Sequence, residues 1–170
     1  FLYFKNNNKE EIPIVKTSIN EEVSYNSNII KDVNYSSTDA RGNKYTINAL
    51  QGEIDYSDPS IIYLTKVKAK IELTNSYNVK IISNYGRYNT NNFDTIFSES
   101  VIINYLDNKF TGEYLDFSID RSSMIMSRNV IYTNLENVMK ADVIEIDINT
   151  KDTKIYMFEN EKKVNIKSRN

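Results

Sequence analysis

The sequence predicts an all-β domain of antiparallel strand pairs stacked on one another, with one continuous apolar face. Three observations carry this expectation. Apolar and polar residues alternate with period two, turn residues recur at roughly 8–14-residue intervals, and side chains of one type return in columns along the chain.

The chain begins Phe1-Leu2-Tyr3-Phe4, an apolar run followed by Lys5 and three asparagines. Four residues cannot span a bilayer, which takes about 20. They read either as the tail of a membrane or signal segment or as a buried strand. Residues 5–22 are polar with one proline and read as a tether, leaving residues 23–170 for the domain. The clearest alternation is Val67-Lys68-Ala69-Lys70-Ile71-Glu72-Leu73, with all charges on one side. Glu53-Ile54-Asp55-Tyr56 and Ile144-Glu145-Ile146-Asp147-Ile148 repeat it. A face that is half wet belongs to antiparallel sheet, because parallel strands are buried on both sides. Turns are expected at Asp39-Ala40-Arg41-Gly42-Asn43, Ser57-Asp58-Pro59, residues 89–92, Asp107-Asn108 and residues 149–152. No helix is expected beyond residue 22; residues 134–142 fit one helical turn or a turn between strands.

The repeat is anchored on Ala49, Ser83, Gly112 and Ala141, spaced 34, 29 and 29 residues apart. Two residues before the anchors stand Ile47, Ile81, Phe110 and Met139, and five after stand Ile54, Tyr88, Phe117 and Ile146. Thirteen after come Ile62, Ile96 and Ile125; eighteen after come Val67, Val101 and Val130, where the fourth copy has Glu159 instead. Each unit reads as a strand pair that cannot bury a face alone and needs neighbours. The alternative is a β-sandwich with hairpins of similar length. Parity places residues such as Ala49, Ile71, Leu73, Ile103, Tyr105, Phe117, Ile119, Tyr132, Ile146 and Ile148 on one face, and Lys66, Lys68, Lys70, Asp116, Glu145 and Asp147 on the other. A continuous apolar face must curl on itself or close over something apolar.

Composition narrows the chemistry. The 170 residues suit one domain, and 21 basic against 23 acidic residues give a net charge of −2, which does not point to nucleic acid. There is no His, Cys or Trp, which excludes Ser-His-Asp and Cys-His catalysis, Cys/His zinc sites and disulfides. Four glycines form no phosphate-binding loop. The 24 Asn and 23 Ile divide between turns and apolar lining, although an AT-rich genome produces the same excess. Asp39-x-x-Gly42-Asn43 resembles a metal loop, but a hairpin turn explains it, with Asp39 capping the backbone and Gly42 at positive φ. Glu145, Asp147 and Asn149 share a strand face that reads as a solvated ladder rather than a calcium site. Glu113 and Asp116 imitate a glycosidase pair without a cleft behind them. No enzyme activity, cofactor or metal is expected.

The segment from Asp32 to Ala49 resembles the LptC family, the periplasmic component of lipopolysaccharide export. It has a strand, the turn of Asp39 and Gly42, a second strand ending at Ala49, and the acidic-apolar stretch Glu53-Ile54-Asp55. With the repeats, the resemblance runs to about Val164. It implies a transmembrane helix ending at residues 1–4, a periplasmic linker over residues 5–22, and a bent, open β-jellyroll at the periplasmic face of the inner membrane. It also implies that the groove takes lipid A acyl chains from an inner-membrane ABC transporter and passes them to an LptA-like β-jellyroll bridge, edge to edge. Gly112 fits the family's second glycine, in a late Thr-Gly turn.

The groove residues expected on this basis are Ile54, Ile71, Leu73, Tyr105, Phe117 and Ile146. The transporter-side edge is expected at residues 30–35, with Ile30, Val33 and Tyr35. The bridge-side edge is expected at Ile155 and Phe158 and at Val164 and Ile166. Free edges of this kind are tolerable where a partner strand pairs them. The other function class is an extracytoplasmic β-solenoid or sandwich module for adhesion or carbohydrate binding.

Overall fold

The computed structural model describes residues 28–74, 76–150, 152–159 and 163–168. The expected membrane stub, the linker and the first five residues of the expected domain lie outside them. Among the described residues no helix is long and apolar enough to cross a membrane.

Ten strands form one antiparallel sheet: β1 (Ile29–Thr38), β2 (Lys44–Ile54), β3 (Ile61–Glu72), β4 (Val79–Asn89), β5 (Thr95–Tyr105), β6 (Asn108–Ser118), β7 (Ser123–Thr133), β8 (Asn137–Asp147), β9 (Thr153–Tyr156) and β10 (Asn165–Ser168). Each strand from β1 to β8 pairs with its sequence neighbours, so the chain is a meander. The last edge is shared. β9 covers residues 143–146 of β8, and β10 covers residues 137–140. The all-β expectation and its turns hold, and residues 134–136 make a turn rather than a helix.

A crease crosses the sheet at the middle of every long strand. On β4, Ile81 and Ser83 are buried and then Gly86 and Tyr88; on β8, Met139 and Ala141 and then Ile144. The inward parity therefore steps by one residue at each of these sites. On β1 and β3 a single residue at positive φ, Asp32 or Lys66, marks the step, whereas on β5 and β7 a pair, Glu99 and Ser100 or Arg128 and Asn129, bulges without changing the parity. Register shifts between Ile82 and Tyr85, Ser98 and Val101, Thr111 and Tyr114, and Ser127 and Val130 mark the same line. Bulges bend strands and increase their twist. Aligned across neighbours, they fold one sheet into two facing half-sheets.

The repeat columns are this crease. Val67 pairs with Ser83, Val101 with Gly112, and Val130 with Ala141, so the valine of one copy sits beside the small anchor of the next. All three valines are fully buried. Ser83 Oγ donates to the Tyr85 carbonyl at 2.7 Å, satisfying a group at the bend. Where the fourth copy has Glu159, the edge strand is interrupted between β9 and β10. The column of Ile62, Ile96 and Ile125 is mixed. Ile62 packs on the core, whereas Ile96 and Ile125 alternate with buried neighbours and face outward.

Gly112 corrects an expectation. It is not in a turn but inside β6, on the crease. A Cβ there would stand 2.9 Å from Met126 Cγ and 3.2 Å from its Sδ, so the glycine makes room for a buried side chain of β7. The Thr-Gly pair mimics a turn signal, and the crease meets the same need for a small residue.

Contacts across the fold show how the half-sheets face each other. Tyr35 of β1 meets Tyr88 of β4 with ring centroids 5.0 Å apart, and Tyr45 of β2 meets Phe117 of β6 at 6.0 Å. At the rim, Arg41 in the β1–β2 turn donates to the side-chain oxygen of Asn149 in the β8–β9 turn. Among the described residues β1 and β10 are not paired with each other, so the sheet does not close into a barrel.

Candidate functional site

Between the half-sheets, toward β9, lies an apolar cleft of about 360 Å³. One wall is built by Ile71 and Leu73 at the end of β3, Val79 of β4, Ile103 and Tyr105 of β5, Phe110 of β6, Tyr132 of β7 and Met139 of β8. The facing wall comes from beyond the crease: Met124 of β7, Ile146 and Ile148 at the end of β8, and Thr153 and Ile155 of β9. Among the described residues no Lys, Arg, Asp or Glu lines it. Its polar groups are largely spoken for. Tyr132 Oη donates to Asn108 Oδ1 at 2.6 Å, Asn134 Nδ2 donates to Tyr132 Oη at 3.0 Å, and the Ser76 and Tyr105 hydroxyls share a bond of 2.8 Å.

The opposite end of the interior is filled. Tyr35, Tyr45, Tyr88, Phe93 and Phe117 occupy it, leaving about 20 Å³. The Tyr35 and Tyr88 hydroxyls are buried with no hydrogen-bond partner among the described residues, and burial pushes the Tyr88 phenol well above its ordinary range.

Four of the six expected groove residues, Ile71, Leu73, Tyr105 and Ile146, line the cleft. Phe117 does not. It is 5% exposed and packs against Tyr45 at the filled end. Ile54 does not either: it stands half-buried at the end of β2, paired with Ile62 of β3. Parity identified the face of both residues; only the packing across the fold separates core from cleft. Phe110 and Met139 were visible as a repeat column but were not carried to the groove. Met124 has the same parity as Val130 and Tyr132 on β7, because the two-residue bulge at Arg128 and Asn129 leaves the alternation unchanged, so its inward face was legible in the sequence.

The expected edges lie at the two ends of the sheet. Ile30, Val33 and Tyr35 belong to β1, which among the described strands pairs with β2 alone, and Val33 and Tyr35 turn inward onto the core. Ile155 is on β9 and also lines the cleft. Ile166 is exposed on β10. Two positions need correction. Phe158 lies beyond β9, exposed in the connection to β10, with its N–H donating to Asp142 Oδ2 at 2.9 Å. Val164 precedes β10 and packs on the core. The interruption at the crease takes both out of the strand.

The Asp39 turn shapes the site indirectly. Gly42 has φ of 83°, and Asp39 Oδ1 accepts from the N–H groups of Arg41 and Asn43, each at 2.9 Å. Asp39 Oδ2 accepts from Asn43 Nδ2 at 2.9 Å and Tyr45 Oη at 2.8 Å. Burial acts to raise the Asp39 carboxyl, but these bonds outweigh it and hold it below its usual value. Burial, then Asp39, pushes the Tyr45 phenol up to about 12. The turn thus fixes Tyr45 against Phe117.

The other acidic candidates have structural partners on the outer surface. Glu113 accepts from Asn129 Nδ2 at 2.5 Å, Asp116 pairs with Arg121 at 2.9 Å, and Asp147 caps the backbone of Asn149 and Thr150. Among the described residues no group of three or more His, Cys, Asp or Glu is placed to hold a metal. No protein-family model and no curated protein matches the chain.

Proposed function

We propose that the chain is a periplasmic lipopolysaccharide-binding protein of the LptC type, tethered to the inner membrane. In this reading it accepts lipopolysaccharide from an inner-membrane ABC transporter and passes it to an LptA-like bridge for outer-membrane assembly. The observation that carries the proposal is the open, apolar cleft between the half-sheets. A lipid moving through water exposes acyl chains at a cost of about 0.8 kcal/mol per CH₂, and an Ile-, Met- and Tyr-lined cleft offsets that cost without covalent chemistry. The resemblance of residues 32–55 supports the family, and the position of β1 and β10 at opposite ends of the described sheet supports hand-over by strand addition.

The test is photo-crosslinking from Tyr105 and Ile146, replaced in turn by a photoreactive residue, in cells making lipopolysaccharide. Lipopolysaccharide adducts are expected at both positions and not from Ile125 on the outer face. A folded, expressed protein without adducts at either cleft position overturns the proposal.

A further inference from the structure

We infer that the cleft is a blind socket for one acyl chain of about 14 carbons, its depth set by the contact between Tyr45 and Phe117. This rests on the lipid-binding reading above and adds to it a stoichiometry and a length limit.

Volume gives the first argument. A dry apolar cavity of about 150 Å³ accepts benzene, with six carbons, so the 360 Å³ cleft holds about 14 carbons of hydrocarbon. That is one chain, not several. A lipid with several acyl chains seats one here and leaves the others outside.

The second argument is the end wall. Ile71 borders both the open cleft and the filled end, and Met124 lines the cleft on the opposite half-sheet. Ile71 pairs in register with Tyr45, and Met124 with Phe117. One strand further in on each side, therefore, the two aromatic residues meet across the fold with centroids 6.0 Å apart. Beyond them only about 20 Å³ remains. Tyr45 cannot swing aside freely, because its hydroxyl is bonded to Asp39.

The third argument is charge. Among the described residues no ionised side chain lines the cleft, so a charged head group finds no counter-ion on these walls and stays in water. The chain enters tail first, toward the aromatic wall.

The experiment titrates the 170-residue chain with zwitterionic lysophosphatidylcholines of 8 to 18 carbons, below their micellar concentrations, and counts bound molecules by native mass spectrometry. The expected dissociation constant falls about fourfold per added CH₂ and levels off near 14 carbons, with one lipid per protein. Ile71→Phe narrows the deep end and moves the break to shorter chains. Phe117→Ala removes a ring of benzene size and moves it to longer ones, by up to about six carbons. If Phe117→Ala does not fold, the wild-type series and Ile71→Phe decide.

Affinity that keeps rising to 18 carbons, two or more chains per protein, or a break unmoved in every folded variant overturns the socket. The lipid-binding reading then survives if lipopolysaccharide adducts form at Tyr105 and Ile146. Absence of binding at every length, together with absence of adducts, overturns both.

Discussion

Gly112→Ala is the most direct test of the crease that brings the two cleft walls together. Gly112 has no positive φ, so alanine is allowed by its backbone and should gain about 0.4–1 kcal/mol by restricting the unfolded chain. Packing opposes this. The new methyl would lie 2.9 Å from Met126 Cγ, 3.2 Å from Sδ and 3.4 Å from the Ser127 carbonyl oxygen. Met126 is 2% exposed and has little free space to move into. Overpacking of this kind costs about 1–3 kcal/mol, so the net loss is on the order of 1 kcal/mol, or about 2–4 °C in Tm for a chain of this size. Urea denaturation of four proteins measures it: wild type, Gly112→Ala, Met126→Ala and the double variant. Met126→Ala alone should cost about 2–5 kcal/mol. In the double variant the added methyl occupies vacated space, so the total should fall short of the sum by about 1 kcal/mol. If Gly112→Ala is as stable as wild type, or the two effects simply add, the steric account of the crease is wrong.

Replacing Asp39 by Ala removes an acceptor of four hydrogen bonds in the first turn, two from backbone N–H groups, and should cost about 1–3 kcal/mol by chemical denaturation. In acid, Asp39 contributes stability above its unfolded pKa, since its folded value is the lower one; that contribution should fade as pH drops through the folded value and be absent from Asp39→Ala. Tyr45 acts in the opposite direction. Its pKa rises from 10 to about 12 on folding, so its share, on the order of 2–3 kcal/mol, is present below pH 10 and lost as pH climbs to about 12, a loss that Tyr45→Phe should not show. Arg121→Ala breaks contacts with Asp116 and Asp94 at 2.9 and 3.6 Å, but its side chain is half-exposed, so thermal melts should change by less than about 1 kcal/mol. On the proposed function, Ile166→Pro interrupts the β10 edge and should abolish co-purification with the bridge protein while leaving the transporter bound. Loss of both would contradict the assignment of the two ends.

The sequence made the strands and most of the turns legible because both are local. Strict alternation at 67–73 marks a half-buried strand whatever surrounds it, and Asp39 with Gly42 determines a turn through its own hydrogen bonds. The repeat was legible too, in the recurrence of small anchors and valines. What the repeat meant was not. Gly112 reads as a turn residue in one dimension and is a crease residue in three, because both roles need the absence of a side chain. Met124 keeps the parity of Val130 and Tyr132 across the two-residue bulge of β7, so its face was legible, but that it lines the cleft depends on the half-sheet packed opposite.

By itself, then, the amino-acid sequence determined an all-β chain with one continuous apolar face and no means of His or Cys chemistry. Tertiary structure decided where that face is core and where it is cleft. Phe117 and Ile146 stand in the same repeat column, yet Phe117 meets Tyr45 across the fold and is buried, while Ile146 faces open space. The difference lies in the partner that the bend brings opposite each residue. That partner comes from a strand far away in the chain, and the residue's own periodicity carries no information about it.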